Sequence, residues 1–305
     1  MLCILKRNVN QKPGNVVRNT LRARLLAVIP WVLGSITLLV LLSNLPDGAI
    51  VSDYSLELGV YAALTAVALV FAAALTEGEL SPAHAVGMIA FLALPQEVLP
   101  ATLWAVFFGG AVGGTVMILR RYASTTPGSS DPPRWRNLIF ITARVTLSFY
   151  AAAEIYIFAD GPVPLERASW EMAATVFAMV VYVLVYLTLY ISVFLLEIYS
   201  NGRSPQSLIR NDLAQVFAIL LLPFPFALLT AEAADQLSTT SEIISIVGLM
   251  LVILGLHAIS RSEQRLRRQL DEMRTLSVVT QAMRSHLNLD GLLKTVYLQV
   301  AHLLN

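Results

Sequence analysis

Eight runs of apolar residues organise this chain, at 25–42, 58–75, 83–94, 99–119, 138–158, 172–196, 213–230 and 243–259, and seven of the eight contain no Asp, Glu, Lys or Arg. Crossing about 30 Å of hydrocarbon at about 1.5 Å of helix rise per residue takes roughly 20 residues. Most of these runs reach or approach that length. In lipid every backbone N–H and C=O must be satisfied internally, so such runs must be helices. The expected fold class is therefore all-α: a polytopic membrane protein of about eight transmembrane helices. The short run at 83–94 admits two readings, a re-entrant half-helix or a tilted span. Pro95 and Pro100 bracket its connection to the next run.

Composition agrees with this reading. Only 13% of the 305 residues are charged, where a soluble domain has about 25%. Net charge is +1, which leaves no electrostatic footprint for nucleic acid, and none is expected as a partner. The sidedness of the charge is informative. With the N-terminus inside, the cytoplasmic segments hold Lys6, Arg7, Lys12, Arg18, Arg22 and Arg24 in a basic arm over 1–24. They also hold Arg120, Arg121, Arg134 and Arg136, then Arg203 and Arg210, then Arg261, Arg265, Arg267 and Arg268. The opposite loops hold one basic residue, Arg167, among acids such as Asp47, Asp53, Glu57, Glu97, Asp160 and Glu232. This is the positive-inside bias. It predicts an even number of spans over 25–260, both termini cytoplasmic, and a multi-pass inner-membrane protein. The run at 83–94 is needed to keep the count even. The first run follows a basic stretch but is too long for a signal-peptide h-region and lacks a small-x-small cleavage site, so it reads as an uncleaved span.

Ionisable residues at membrane depth carry a functional hypothesis by default. The run at 138–158 holds Arg144 and Glu154, ten residues or about 15 Å apart, too far to pair within the helix. Glu154, with Tyr150 one turn earlier, reads either as an outer-leaflet polar pocket or as a carboxylate snorkelling outward. Arg144 reads mainly as snorkelling toward the inner surface. In the sixth run Tyr182, Tyr186 and Tyr190 recur at helical spacing; they line an aromatic pocket or pack with their hydroxyls on neighbouring backbone. The candidate ligand-binding set is Glu154, Tyr150, Arg144, Tyr182 and Tyr186. Gly109, Gly110, Gly113 and Gly114 give small-xxx-small spacing twice, which lets another helix approach closely. Pro223-Phe224-Pro225-Phe226 interrupts the seventh run. His84 and His257 are isolated and Cys3 is the single cysteine, so no metal site, disulfide or cofactor is expected. No paired acidic motif, His-rich box or nucleophile with a nearby base supports catalysis within this chain.

After residue 259 the character changes. The stretch 261–284 is charged and lacks Gly and Pro, while Leu266, Leu270, Met273, Leu276, Val279 and Met283 recur every three or four residues. Such a seam fits a parallel dimeric coiled coil over 261–285, with Leu266, Leu270 and Met273 as dimerisation residues. The other reading, an amphipathic helix on the bilayer, is weakened by Glu263, Asp271 and Glu272, which dilute the basic face. Ser285-His286-Leu287 lacks the Glu, Arg and Thr-Pro that follow the phosphoacceptor of a kinase, so His286 reads as a polar residue of a linker helix.

Two resemblances follow from quoted residues. Leu289-Asp290-Gly291-Leu292-Leu293, a polar corner between two helices, resembles the opening of a GAF domain behind a signalling helix, and 286–305 is read as that start. Gly109-Gly110-Ala111-Val112-Gly113-Gly114 with Arg120-Arg121, then Trp135-Arg136-Asn137-Leu138-Ile139-Phe140, then Tyr199-Ser200-Asn201-Gly202-Arg203-Ser204-Pro205 is similar to the membrane-associated (MASE-like) sensor regions of bacterial signalling proteins. In that family such regions precede GAF, HD-GYP, GGDEF or histidine-kinase modules. The resemblance implies a sensor input module, homodimeric, with lipid and a downstream signalling domain as partners. A transporter or permease-like subunit is the alternative, because interrupted helices serve both.

Overall fold

The computed structural model describes residues 13–75, 79–124, 135–165, 173–201, 206, 212–236 and 239–286. The chain divides into two compact units, Met1–His257 and Ala258–Asn305.

The first unit is a helical bundle. Its helices are α1 (Pro13–Ser43), α2 (Gly48–Asp53), α3 (Ser55–Val70), α4 (Ala83–Ala93), α5 (Leu99–Ser124), α6 (Arg136–Phe158), α7 (Ala173–Ser200), α8 (Leu213–Leu221) and α9 (Pro223–Gln236), followed by the first part of α10 (Thr239–His286). Three stretches are long and apolar enough to cross a membrane by length and composition: Gln96–Arg120, Arg136–Phe158 and Ala173–Ser200. Shorter apolar helices lie at Ala27–Ser43, Ser55–Val70, Ala83–Ala93 and Leu213–Leu229. Pro13 opens α1, a position where its missing N–H is harmless, and the Asp47 carboxylate caps α2 by accepting from the Ala49 N–H at 3.1 Å.

The expectation of helix throughout 58–75 is corrected here. Helix α3 ends at Val70, and Ala73–Ala74 pairs antiparallel with Glu79–Leu80. Two-residue strands are too short to show the alternation by which a strand is read from sequence. Ser81 clasps this hairpin to its neighbours: its hydroxyl donates to the Ala68 carbonyl at 2.7 Å and accepts from the Ala83 N–H at 3.1 Å. The run 213–230 stays helical across Leu222 (φ −59°, ψ −38°), whose N–H bonds the Ala218 carbonyl, and α8 passes there into α9 just before Pro223.

Contacts between named residues give the helix directions. A Cβ on Gly113 would stand 2.6 Å from the Ala66 carbonyl oxygen, one on Gly109 would meet Ala62 and Thr65, and Arg120 donates to the Val70 carbonyl at 3.3 Å. Residue numbers rise together, so α3 and α5 are parallel. Gly110 faces Thr142 while Gly114 faces Leu138 and Ile141, so α5 and α6 are antiparallel. Arg136 reaches the Ser200 carbonyl and Asn201 Oδ1, whereas Tyr156 meets Tyr182, so α6 and α7 are antiparallel.

Parallel α3 and α5 require the intervening chain to return along the bundle. That return is made by the hairpin and by α4, whose residues Ala83–Leu92 are all buried. At about 16 Å, an eleven-residue helix covers only half of a hydrocarbon core. A helix apolar all round belongs inside the protein. Beyond the unit boundary, helix α10 continues without interruption to His286, with Leu266, Leu270, Met273 and Leu276 exposed. Residues 287–305, which hold the GAF-like corner, lie outside the described residues, as does the first half of the basic arm, 1–12.

Candidate functional site

Helix α7 carries a polar stripe on one side. Thr175, Tyr182, Tyr186, Tyr190 and Glu197 follow at intervals of seven, four, four and seven, which keeps them within about 80° around the helix. Glu197 is the only charged residue of α7. Opposite it, α6 presents Arg144 and Ser148 one turn apart, and α4 presents His84 and Phe91.

These groups interlock. Phe91 and Tyr182 stack at 5.9 Å between ring centroids, Tyr182 and Tyr186 at 6.3 Å, and Tyr186 and Tyr190 at 5.6 Å. The Arg144 guanidinium lies over Tyr190 at 4.8 Å and over Phe194 at 4.9 Å, and its Nη1 meets Glu197 Oε2 at 3.2 Å. Both side chains of the ion pair are largely withdrawn from the surface, with exposures of 2% and 13%. The arrangement balances a buried cation with a carboxylate and two aromatic faces. The Tyr190 hydroxyl donates to the Ser81 carbonyl at 3.2 Å.

His84 ties the proline-bearing helix pair α8–α9 into the same cluster. Pro223 and Pro225 have no N–H for the carbonyls four residues back, those of Ile219 and Leu221. The carbonyl between them, Leu220, takes a hydrogen bond from His84 Nε2 at 2.7 Å. Because a carbonyl only accepts, Nε2 carries the proton in this bond, and the Ser81 carbonyl is a second backbone neighbour of the same imidazole. Among the described residues, the buried polar atoms with no hydrogen-bond partner are His84 Nδ1, Arg144 Nε, Thr146 Oγ1, Ser148 Oγ, Thr175 Oγ1, Tyr182 Oη and Tyr186 Oη. Such atoms are rare in folded proteins, and here they accompany the Tyr–His–Arg cluster. No group of three or more His, Cys, Asp or Glu side chains comes together among the described residues.

The structure thus brings Arg144, Tyr182 and Tyr186 into one cluster and leaves Glu154 and Tyr150 out of it. Glu154 is exposed on the outside of α6, and Tyr150 is half-buried against the core. The snorkelling reading of Arg144 is corrected: the side chain turns inward to Glu197 and is 1% exposed. Gly109 and Gly113 receive the backbone of α3, whereas Gly110 and Gly114 face α6. Sequence reasoning passed over Glu197, although a lone carboxylate seven residues beyond Tyr190 in an apolar run was a signal. It also set His84 aside as isolated, because its partner Leu220 lies 136 positions away.

The chain matches no protein-family model, no curated protein and no solved structure.

Proposed function

We propose that this chain is the membrane-embedded input module of a bacterial signal-transduction protein. In this reading eight spans lie in the inner membrane, with both termini cytoplasmic. A stimulus shifts the packing of α6 to α9, and α10 passes the shift through a dimeric helix to a GAF-type region beginning near 286. The observation that carries the proposal is α10 itself. One helix runs from Thr239 to His286, across the change from apolar to charged sequence, and exposes Leu266, Leu270, Met273 and Leu276. A continuous helix transmits rotation or sliding, and an apolar seam left open on a polar helix asks for a second copy. Three heptads alone are marginal, so two bundles held in one plane would add association through effective concentration.

The test is disulfide crosslinking in native membranes in a Cys3→Ser background. Leu266→Cys and Leu270→Cys are expected to form chain-to-chain disulfides, and Arg268→Cys, off the seam, far fewer. Equal yields at all three positions, or none at the two leucines, would remove the main support for the sensor reading. The transporter reading rests on different observations, the prolines Pro223 and Pro225 at the junction of α8 and α9 and the short helix α4, since interrupted and half-length helices frame transporter sites. A permease has no use for the seam, so loss of crosslinking would favour it.

A further inference from the structure

The hairpin between α3 and α4 is held in place by side chains from other helices. Its strands, Ala73–Ala74 and Glu79–Leu80, pair two residues each, and a two-stranded ribbon has little stability of its own. Ala73, Leu80 and Ser81 are nevertheless buried. Where this ribbon sits is therefore decided by the bonds it makes to its neighbours.

Those bonds arrive on the residues that flank the Ala73–Leu80 pair, one on each strand. After the second strand, the Ser81 carbonyl accepts from the Tyr190 hydroxyl of α7 at 3.2 Å. The Ser81 hydroxyl donates to the Ala68 carbonyl of α3 and accepts from the Ala83 N–H of α4. Before the first strand, the Ala72 carbonyl accepts from His257 Nδ1 of α10 at 2.9 Å, and the Phe71 ring meets the same imidazole edge-on at 5.4 Å. His257 is the last residue of the first unit. Tyr190 is in turn covered by the Arg144 guanidinium, which is paired with Glu197. Contacts thus run without a gap from the Arg144–Glu197 pair through Tyr190, Ser81 and the paired strands to Ala72 and His257.

We propose that this hairpin is a coupling element, which passes a shift of α7 at Tyr190 through Ser81 and the paired strands to Ala72, and from there to α10 at His257. It rests on the sensor reading and deepens it by naming the route from the spans to the output helix. Moving parts are drawn from the least stable elements of a fold. A ribbon with two residues per strand, clasped by side chains, can be displaced as one piece, whereas a long helix carries its full ladder of backbone bonds with it.

The test is hydrogen–deuterium exchange of the full chain in lipid nanodiscs, read by mass spectrometry. Tyr190→Phe removes the donor to Ser81 and keeps the ring. It is expected to speed exchange about fivefold, the factor one net hydrogen bond carries, both at Ala72–Ala74 and in α10 around His257. His257→Phe keeps a ring against Phe71 and removes the donor to Ala72. Because coupling is reciprocal, it is expected to speed exchange at Leu80–Ala83 in the same way. Ser192→Ala, which removes a hydroxyl bonded only within α7 on its exposed side, is expected to leave both regions unchanged. If Tyr190→Phe does not fold, His257→Phe alone decides. Faster exchange confined to the substituted helix, or an equal rise in α5, would overturn the proposal. The tail crosslinking is measured separately, so such a failure leaves the sensor reading standing, while coupled exchange without crosslinks would strike the sensor reading alone.

Discussion

Arg144 and Glu154 share one helix and meet opposite fates. The buried face of α6 runs through Ile141, Val145, Phe149, Ala152 and Tyr156. Glu154 comes nine residues after Val145, about 180° around the helix, and so stands outside. Arg144 lies next to Val145 and goes in. The amphipathic pattern of α6 was therefore enough to separate them, but the height argument by which the two were compared in sequence did not use it. Arg144's partner was not legible, because Glu197 lies 53 positions away on another helix and only the antiparallel packing of α6 and α7 brings it near. A double-mutant cycle measures what the pairing contributes. Arg144→Leu leaves the Glu197 carboxylate inside without its guanidinium and is expected to destabilise the purified protein. The loss should fall near the lower end of the roughly 3–5 kcal/mol seen for broken buried pairs, since Glu197 keeps slight exposure. Adding Glu197→Leu should restore most of that loss in thermal unfolding. Additive losses would mean that the two residues act independently.

At the scale of elements, the long helices were legible because apolar runs declare themselves, while the interruptions were not. The hairpin Ala73–Leu80 pairs only two residues per strand, and its clasp, Ser81, is one hydroxyl among many in the sequence. The loss of helix donors at Pro223 and Pro225 was legible, but the histidine that bonds the Leu220 carbonyl comes from α4. The glycines show how an element-level expectation gains detail in three dimensions. Small-xxx-small spacing marks all four glycines of α5 alike, yet their surroundings differ. A methyl on Gly113 would collide with the Ala66 backbone, whereas one on Gly110 would meet Thr142 at 4.0 Å, ordinary contact. Gly113→Ala is therefore expected to destabilise the α3–α5 pair by about 1–3 kcal/mol. Gly110→Ala should be neutral, or slightly stabilising through higher helix propensity by up to about 1 kcal/mol. Thermal unfolding in detergent, monitored by circular dichroism, separates the two. Equal effects would mean that the close approach of α3 to α5 at Gly113 does not govern their packing.

For the whole molecule, the charge pattern and the helix directions are independent observations that bear on one question, on which side the chain ends. Charge alone argues from arginines: Arg120 and Arg136 belong to the rich side, Asp47, Glu97 and Asp160 to the poor side. Packing argues from backbone. The Val70 carbonyl, Arg120, Arg136, Ser200 and Asn201 gather at one end of the bundle, where His257 also bonds the Ala72 carbonyl at 2.9 Å. At the other end Trp104 donates to the Asn44 carbonyl at 3.0 Å and Leu165 to that of Leu92 at 2.8 Å. The chain therefore leaves α3 at the arginine-rich end and must reach the acidic end before α5 can begin. The segment 71–98 makes that passage even though α4 alone is too short for it. A re-entrant loop, which returns to the side it left, would have made α3 and α5 antiparallel. In the proposed topology this passage counts as a crossing, and His257 stands at the arginine-rich end. Fusions at Asn305 check the outcome. A fluorescent protein that matures only in the cytoplasm is expected to be bright there, and a phosphatase active only in the periplasm is expected to be silent. Fusions at Gln96 should give the reverse, since that residue lies between α4 and α5 at the acidic end. A silent phosphatase at Gln96 would show that 71–98 does not cross, and with it both the proposed even count and the proposed cytoplasmic placement of the C-terminal end of α10 would fall.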